Sequence, residues 1–316
     1  MAANYWESTQ RRHWQFTKDE LIQMREKMEE NEQSLVQMFP LPQWRHLSIY
    51  FNQQLNRLGK RLGVRQQAVA TAQIYLKRFY CQVEIRRTNP YLVVATSLYL
   101  ACKMEECPQH IRLVVSEARS LWPVDFVTLD ISRLGECEFF MISEMRAQLI
   151  VHQPYRTIAS LTPDLFLTQD EITLALTVVN DHYMTDLSLL YPPHVIGLTA
   201  ILLALVLRPN NVPGVTAANV AAAATILTQA QTRTGSSVGS GQQTPGSSGK
   251  DKQQDARLTK VQRFASFLAE SNVDIEGMVD CTQELISFYE CHEQYNDKIT
   301  REQINRFVKA RGLDKP

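Results

Sequence analysis

Asn89-Pro90-Tyr91-Leu92-Val93-Val94-Ala95-Thr96-Ser97-Leu98-Tyr99-Leu100-Ala101-Cys102-Lys103-Met104-Glu105-Glu106 is the stretch on which the fold turns. An asparagine side chain caps helices well and a proline fits the first helical position, so Asn89-Pro90 reads as a helix start. From Tyr91 onward every side chain is apolar or small until Lys103. A helix that is apolar all round has to be surrounded by other helices. The segment therefore predicts the central helix of a bundle, ending in a charged rim. A lysine in the last turn is favoured by the helix dipole, so the rim, taken alone, is also readable as a simple polar cap.

Outward from this helix the chain keeps a helical period. Residues 4–38 read as one amphipathic helix, or two with a break near Thr17, stopped by Pro40 and Pro42. Trp44, Leu47, Phe51, Leu55 and Leu58 recur at three- and four-residue steps, closed by Gly59 and Gly63. Val69, Ala72, Leu76, Tyr80 and Val83 repeat the pattern. Further helices are predicted at 110–120 and at 126–145, the latter with Val127, Ile131, Leu134 and Met141 on one stripe. Asp170 to Leu187 is amphipathic, and Tyr191-Pro192-Pro193 opens a second all-apolar helix, Val195 to Leu207. The last helices are expected at 258–270, 275–291 and 299–310. Two proline-initiated apolar helices about a hundred residues apart make a weak internal repeat of the length of a five-helix domain. Residues 209–256 pass through an alanine-rich stretch into Gly, Ser, Gln and Thr. That composition cannot offset the entropy of ordering, and we read it as a disordered insertion in the second domain.

Composition narrows the function. In 316 residues, 33 Lys and Arg balance 33 Asp and Glu, so no global field draws the chain to a polyanion. The six cysteines form no C-x-x-C pair and read as buried thiols of a reducing compartment. The N-terminal residues do not read as a signal peptide, and the longest apolar runs are short for a bilayer. The expectation is a soluble intracellular protein. No phosphate-binding glycine loop, H-E-x-x-H or G-x-S-x-G is present. The scattered histidines, including His110 near Cys102 and Cys107, read as surface or core residues. No catalytic residue, cofactor or metal site is expected, and binding is the function to explain. Glu138 falls on or beside the apolar stripe of the 126–145 helix, where a carboxylate needs a partner or water. Lys103 is the candidate partner if the two helices pack side by side. Such a pair either fixes helix register or, left partly open, offers a docking point.

Leu98-Tyr99-Leu100-Ala101-Cys102-Lys103-Met104-Glu105-Glu106 resembles the signature of the cyclin box. Leu149-Ile150-Val151-His152-Gln153-Pro154-Tyr155-Arg156 resembles the transcriptional members of that family. Three more segments are similar to cyclins of the C type: Asn4-Tyr5-Trp6 with Ser8, Arg65-Gln66-Gln67 through Tyr80, and Val179-Asn180-Asp181 through Pro193. The resemblance implies an all-α fold of two tandem five-helix boxes: an N-terminal extension at 1–40, a first box at 41–145 and a second at 146–310 carrying the insertion. It implies that Lys103 and Glu138 centre the contact with a cyclin-dependent protein kinase. Tyr5, Trp6, Glu105 and Glu106 become further candidate contacts, with Trp6 and Glu105 bordering a groove for another subunit, and Tyr5, Trp6 and Trp14 exposed unless docked. It implies a nuclear, non-catalytic regulator in the kinase module of Mediator, with no direct nucleic-acid, membrane or small-molecule partner, the kinase itself binding ATP and magnesium. Two departures stand out. Leu47-Ser48-Ile49-Tyr50-Phe51 with Gln54 replaces the substrate-docking patch of cell-cycle cyclins, and the insertion is foreign to the basic fold. The rival readings are a cyclin H-like subunit of a kinase-activating complex and a nucleic-acid-binding factor like TFIIB. The latter should carry a zinc ribbon and a basic second repeat, and neither is visible.

Overall fold

Among the residues that the computed structural model describes, 4–122, 129–207 and 249–313, every regular element is a helix. The N-terminal segment is more broken than its periodicity predicts. A 3-10 turn at Tyr5–Glu7 leads into α1 (Thr9–His13), α2 (Lys18–Asn31) and α3 (Gln33–Met38). The break near Thr17 is present because Thr17 starts α2 through a capping box: its hydroxyl accepts from Glu20 N while Glu20 accepts from Thr17 N. Then come α4 (Trp44–Arg61), α5 (Gln66–Tyr80), α6 (Pro90–Met104), α7 (Ile111–Leu121) and α8 (Ile131–Glu144).

The second half holds α9 (Tyr155–Leu165), α10 (Gln169–His182), the short α11 (Leu187–Leu190), α12 (Pro193–Val206), α13 (Gly249–Glu270), α14 (Ile275–Gln294) and α15 (Asp297–Arg311). α9 has no counterpart in the sequence reading. α10 stops at His182 instead of reaching Leu187, and α13 begins at Gly249, inside the stretch assigned to the insertion. The rest of that insertion, and Val127, lie outside the described residues.

The chain divides into two compact units. One comprises Met1–Gln153, His182–Leu190 and Ser287–Pro316; the other comprises Pro154–Asp181 and Tyr191–Ile286. In the first, α6 is the centre, packed against α4, α5, α7 and α8. Val93, Val94, Ala95, Leu98, Ala101 and Cys102 are all buried. Its polar groups are matched locally: Tyr91 shares a hydrogen bond with Tyr50 at 2.9 Å and donates to Asn305 at 2.6 Å. In the second unit α12 is buried from Val195 to Leu205 and packs against α9 and α13. A Cβ on Gly197 of α12 would lie 2.9 Å from Thr157 of α9, so only glycine allows that approach.

Candidate functional site

Asp130 starts α8, its carboxylate accepting from Arg133 N at 2.7 Å. The helix then turns Leu134, Cys137, Glu138 and Met141 onto one buried face. Ile131, expected on this stripe, is instead 43% exposed, because it sits in the first turn where the helix has left the core. The phase that buries Leu134 and Met141 carries Glu138 toward α6. There Lys103 Nζ donates to both carboxylate oxygens, at 2.6 and 2.9 Å.

The pair is open at one end. The Glu138 side chain is 11% exposed and that of Lys103 42%. Partial burial works against the Lys103 ammonium, but the hydrogen bond and charge of Glu138 outweigh it and hold the lysine above its ordinary value. The ammonium also lies 4.5 Å from the centre of the Tyr99 ring. Tyr99 also hydrogen-bonds the ammonium, and what remains open is its solvent-facing side, where an arriving acceptor can approach. Next to the pair in sequence Met104 and Phe139 are exposed, Phe139 at 77%, whereas Phe140, two residues from Glu138, turns to the other side of α8 and meets Phe79. Sequence reasoning did not single out Phe139. Its position next to Glu138 on a helix is the signal that marks it, once the helical phase is fixed.

The remaining candidates form a second neighbourhood. Glu105 accepts from Thr71 Oγ1 at 2.6 Å and from Gln67 Nε2 at 2.7 Å. Gln153 Nε2 reaches Thr71 Oγ1 at 2.5 Å and Gln67 O at 3.1 Å. The next residue back, His152, meets Tyr5 edge to face at 5.7 Å, and Tyr5 in turn meets Trp6 at 5.5 Å. Tyr5, His152, Gln153, Thr71 and Glu105 thus follow one another in contact. Trp6 is half exposed, with Arg11 over its ring, whereas burial pushes the Tyr5 hydroxyl up to about 12 and the hydroxyl donates to Gln15. Glu106 is exposed and takes a positive φ of 52° just past the end of α6.

Of the three aromatic residues expected to be exposed unless docked, Trp14 is docked and 3% exposed. Its indole donates to Gln148 at 2.7 Å and the Arg78 guanidinium lies 5.3 Å from its ring centre. Gln10, also missed, clamps His152 from both sides, accepting from His152 N at 2.6 Å and donating to His152 O at 3.2 Å. These links hold the N-terminal segment on the first unit.

Among the described residues no group of three His, Cys, Asp or Glu side chains is arranged to hold a metal ion, and no helix is long and apolar enough to cross a membrane. Burial pushes the thiols of Cys81 and Cys102 up to about 12 and that of Cys137 to about 11, so none of the three is a ready nucleophile.

Residues 15–150 match the family model described as cyclin, N-terminal domain. The chain is 62% identical to an RNA polymerase II holoenzyme cyclin-like subunit of Neurospora crassa, and 63% identical to a protein of the same name from Gibberella moniliformis, each over the full length of both chains. Among solved structures it is similar to a chain in the CAK complex of Chaetomium thermophilum bound to ATP-gamma-S. The TM-score is 0.57, the identity 17%, and the match covers 98% of this chain and 93% of the other. At that identity the likeness concerns the fold.

Proposed function

The chain belongs to the cyclin family, among relatives named as RNA polymerase II holoenzyme cyclin-like subunits, and from that premise we propose that it is the non-catalytic regulatory subunit of a cyclin-dependent protein kinase. The observation that carries the proposal is the half-open ion pair between Lys103 of the central helix and Glu138 of α8, with exposed Met104 and Phe139 next to its two members in sequence. A helical platform whose lysine is held by Glu138 on one side and open to solvent on the other suits the docking of a second helical surface. Kinases of this class are inactive while their helix C is misplaced and the strand lysine lacks its glutamate. A subunit that binds only the helix-in arrangement shifts the equilibrium by its differential affinity.

In this reading Lys103 and Glu138 set the register and the apolar neighbours supply most of the binding energy. Tyr5, Trp6, Glu105 and Glu106 face a further subunit. The complex is the kinase module of Mediator, acting in the nucleus on the C-terminal domain of RNA polymerase II and on transcription factors, as activator or repressor. The names of the full-length relatives support this over a cyclin H-like role. We also keep the division into an extension at 1–40 and boxes at 41–145 and 146–310 as part of the proposal.

The test is to tag the full chain, identify the co-purifying kinase, and replace Lys103 and Glu138 singly by alanine. Loss of kinase association and of kinase activity is expected from each. Two variants that associate and activate as the parent does would overturn the assignment.

A further inference from the structure

Ile131, Gly135 and Phe139 stand at i, i+4 and i+8 along α8, one ridge of the kind that packs between helices. Ile131 and Phe139 are both exposed, Phe139 more than any other large apolar side chain among the described residues. Gly135 lies between them and is one helical turn before Glu138. Glycine in the middle of a helix weakens it relative to alanine. Nothing among the described residues explains its presence. A Cβ built on Gly135 meets no described atom within 4 Å, and its backbone is not in the left-handed region. Gly59 and Gly197 differ in this respect: a Cβ there would meet Val69 at 2.8 Å and Thr157 at 2.9 Å. Those two glycines serve contacts inside the chain; Gly135 faces outward.

We propose that Gly135 is a notch in the docking ridge, the point where a helix of the bound kinase crosses α8, with Phe139 as the apolar anchor beside it. The inference rests on the kinase reading above and deepens it. A glycine lets a partner's backbone or a bulky side chain approach the helix axis, which a Cβ prevents. The occupant is an apolar-faced helix that brings a hydrogen-bond acceptor to the solvent-facing side of the Lys103 ammonium. Phe139, on the flank of the notch, is buried on docking. Its adjacency to the Lys103–Glu138 pair makes the two features one continuous surface. The size of the residue at 135 then becomes a determinant of which kinase fits.

The experiment is a size series, Gly135→Ala and Gly135→Leu, together with Phe139→Ala and Lys103→Ala. Each full-length variant is melted alone, then titrated with the recombinant kinase identified by co-purification with the tagged parent. Gly135→Ala is expected to melt about 2 °C higher, since it gains helix propensity and meets no clash. It is expected to bind roughly tenfold more weakly, the usual scale of overpacking by one methyl group, and Gly135→Leu more weakly still. Phe139→Ala is expected to keep the melting temperature and to weaken binding by roughly thirtyfold or more. Opposite signs for stability and affinity at one position are the signature of a notch kept for a partner. Equal binding across the size series, or a lower melting temperature for Gly135→Ala, overturns the inference. If Lys103→Ala still weakens binding in that case, the kinase contact stays at the ion pair and only the notch is lost; if no variant changes binding, the assignment of the kinase contact to this surface fails with it, and if no kinase co-purifies with the parent the kinase reading itself fails.

Discussion

Each unit of the molecule carries a lysine–glutamate pair between two helices, and the two are built for different ends. In the second unit Lys260 of α13 meets Glu171 of α10 at 2.9 Å, with side chains 19% and 16% exposed. Glu171 also accepts from the backbone N–H of Thr168 at 2.7 Å, closing the start of its own helix. Burial raises the Glu171 carboxyl, but Lys260 and Thr168 together outweigh it and hold the group below its usual value. That pair is largely enclosed on both sides, as a pair that holds two helices together would be. In the first unit Glu138 is equally enclosed, but Lys103 is more than twice as exposed as Lys260. The difference is at the ammonium: both make two bonds to their carboxylate, but one is largely enclosed and the other keeps a solvent-facing side. A salt bridge informs about function by what it leaves exposed.

The largest expected effects test that contrast directly. Glu138→Ala and Lys103→Ala should each lower kinase affinity by about 2 kcal/mol or more, the usual scale for truncating one side of a desolvated charge pair. The two should differ in the chain's own stability. Lys103→Ala strands an enclosed carboxylate and should destabilise the free protein, whereas Glu138→Ala releases a lysine that can turn to water. Denaturant unfolding beside a binding titration separates the two readouts. Equal destabilisation by both changes would mean that the pair is as closed as Lys260–Glu171.

Much of this was legible in the sequence, and what was not has a common cause. The two central helices declared themselves because all-round apolarity after a proline has one physical solution. Lys103 and Glu138 followed, since the phase of Leu134 and Met141 fixes where residue 138 points. Whether Trp14 is exposed or docked was not legible, because its partners Gln148 and Arg78 lie far along the chain. α10 was drawn to Leu187 because the apolar run continues; in the structure Thr185 instead gives its backbone carbonyl to the buried Lys77. α9 was missed because Pro163 and several hydroxyl residues blur its period, although Ile158 and Leu165 are buried. Local pattern reports helices; it does not report long-range polar anchors.

A third ion pair extends the comparison. Arg25 of α2 holds Asp186 through two bonds at 2.8 and 2.9 Å, and Trp44 adds a third at 3.3 Å. Burial raises the Asp186 carboxyl, but Arg25 and Lys77 outweigh it and the net displacement is downward. A carboxyl depressed in the folded state adds stability above the unfolded aspartate value and loses it as pH falls through the folded one. Asp186→Asn should therefore cost about 2 kcal/mol at neutral pH, and its deficit against the parent should shrink steadily in acid. Urea unfolding of both proteins from pH 7 to pH 3 checks this; a deficit that stays constant would show that charge is not its source. Next in size, Lys260→Ala should cost about 1 to 1.5 kcal/mol of stability and leave kinase affinity unchanged. A loss of affinity there would erase the distinction between the closed pair and the open one.

The smallest effect concerns how the two central helices begin. Asn89 accepts from Tyr91 N at 3.1 Å to cap α6, and its amide donates to Leu313 O at 3.1 Å. α12 starts with Pro192 and Pro193 and has no side-chain cap. If packing on all sides fixes these helices, a cap adds stability without setting position. Asn89→Ala should then cost somewhat under about 1 kcal/mol, near the lower end for helix caps. Asn89→Asp, which keeps the acceptor and removes the bond to Leu313, should fall between the two. Neither should alter kinase affinity, because Lys103 sits at the opposite end of a helix held by four others. Were Asn89→Ala to weaken kinase binding as strongly as Lys103→Ala, the register of α6 would depend on its first turn. The open ion pair would then be positioned by a cap that the second unit does without.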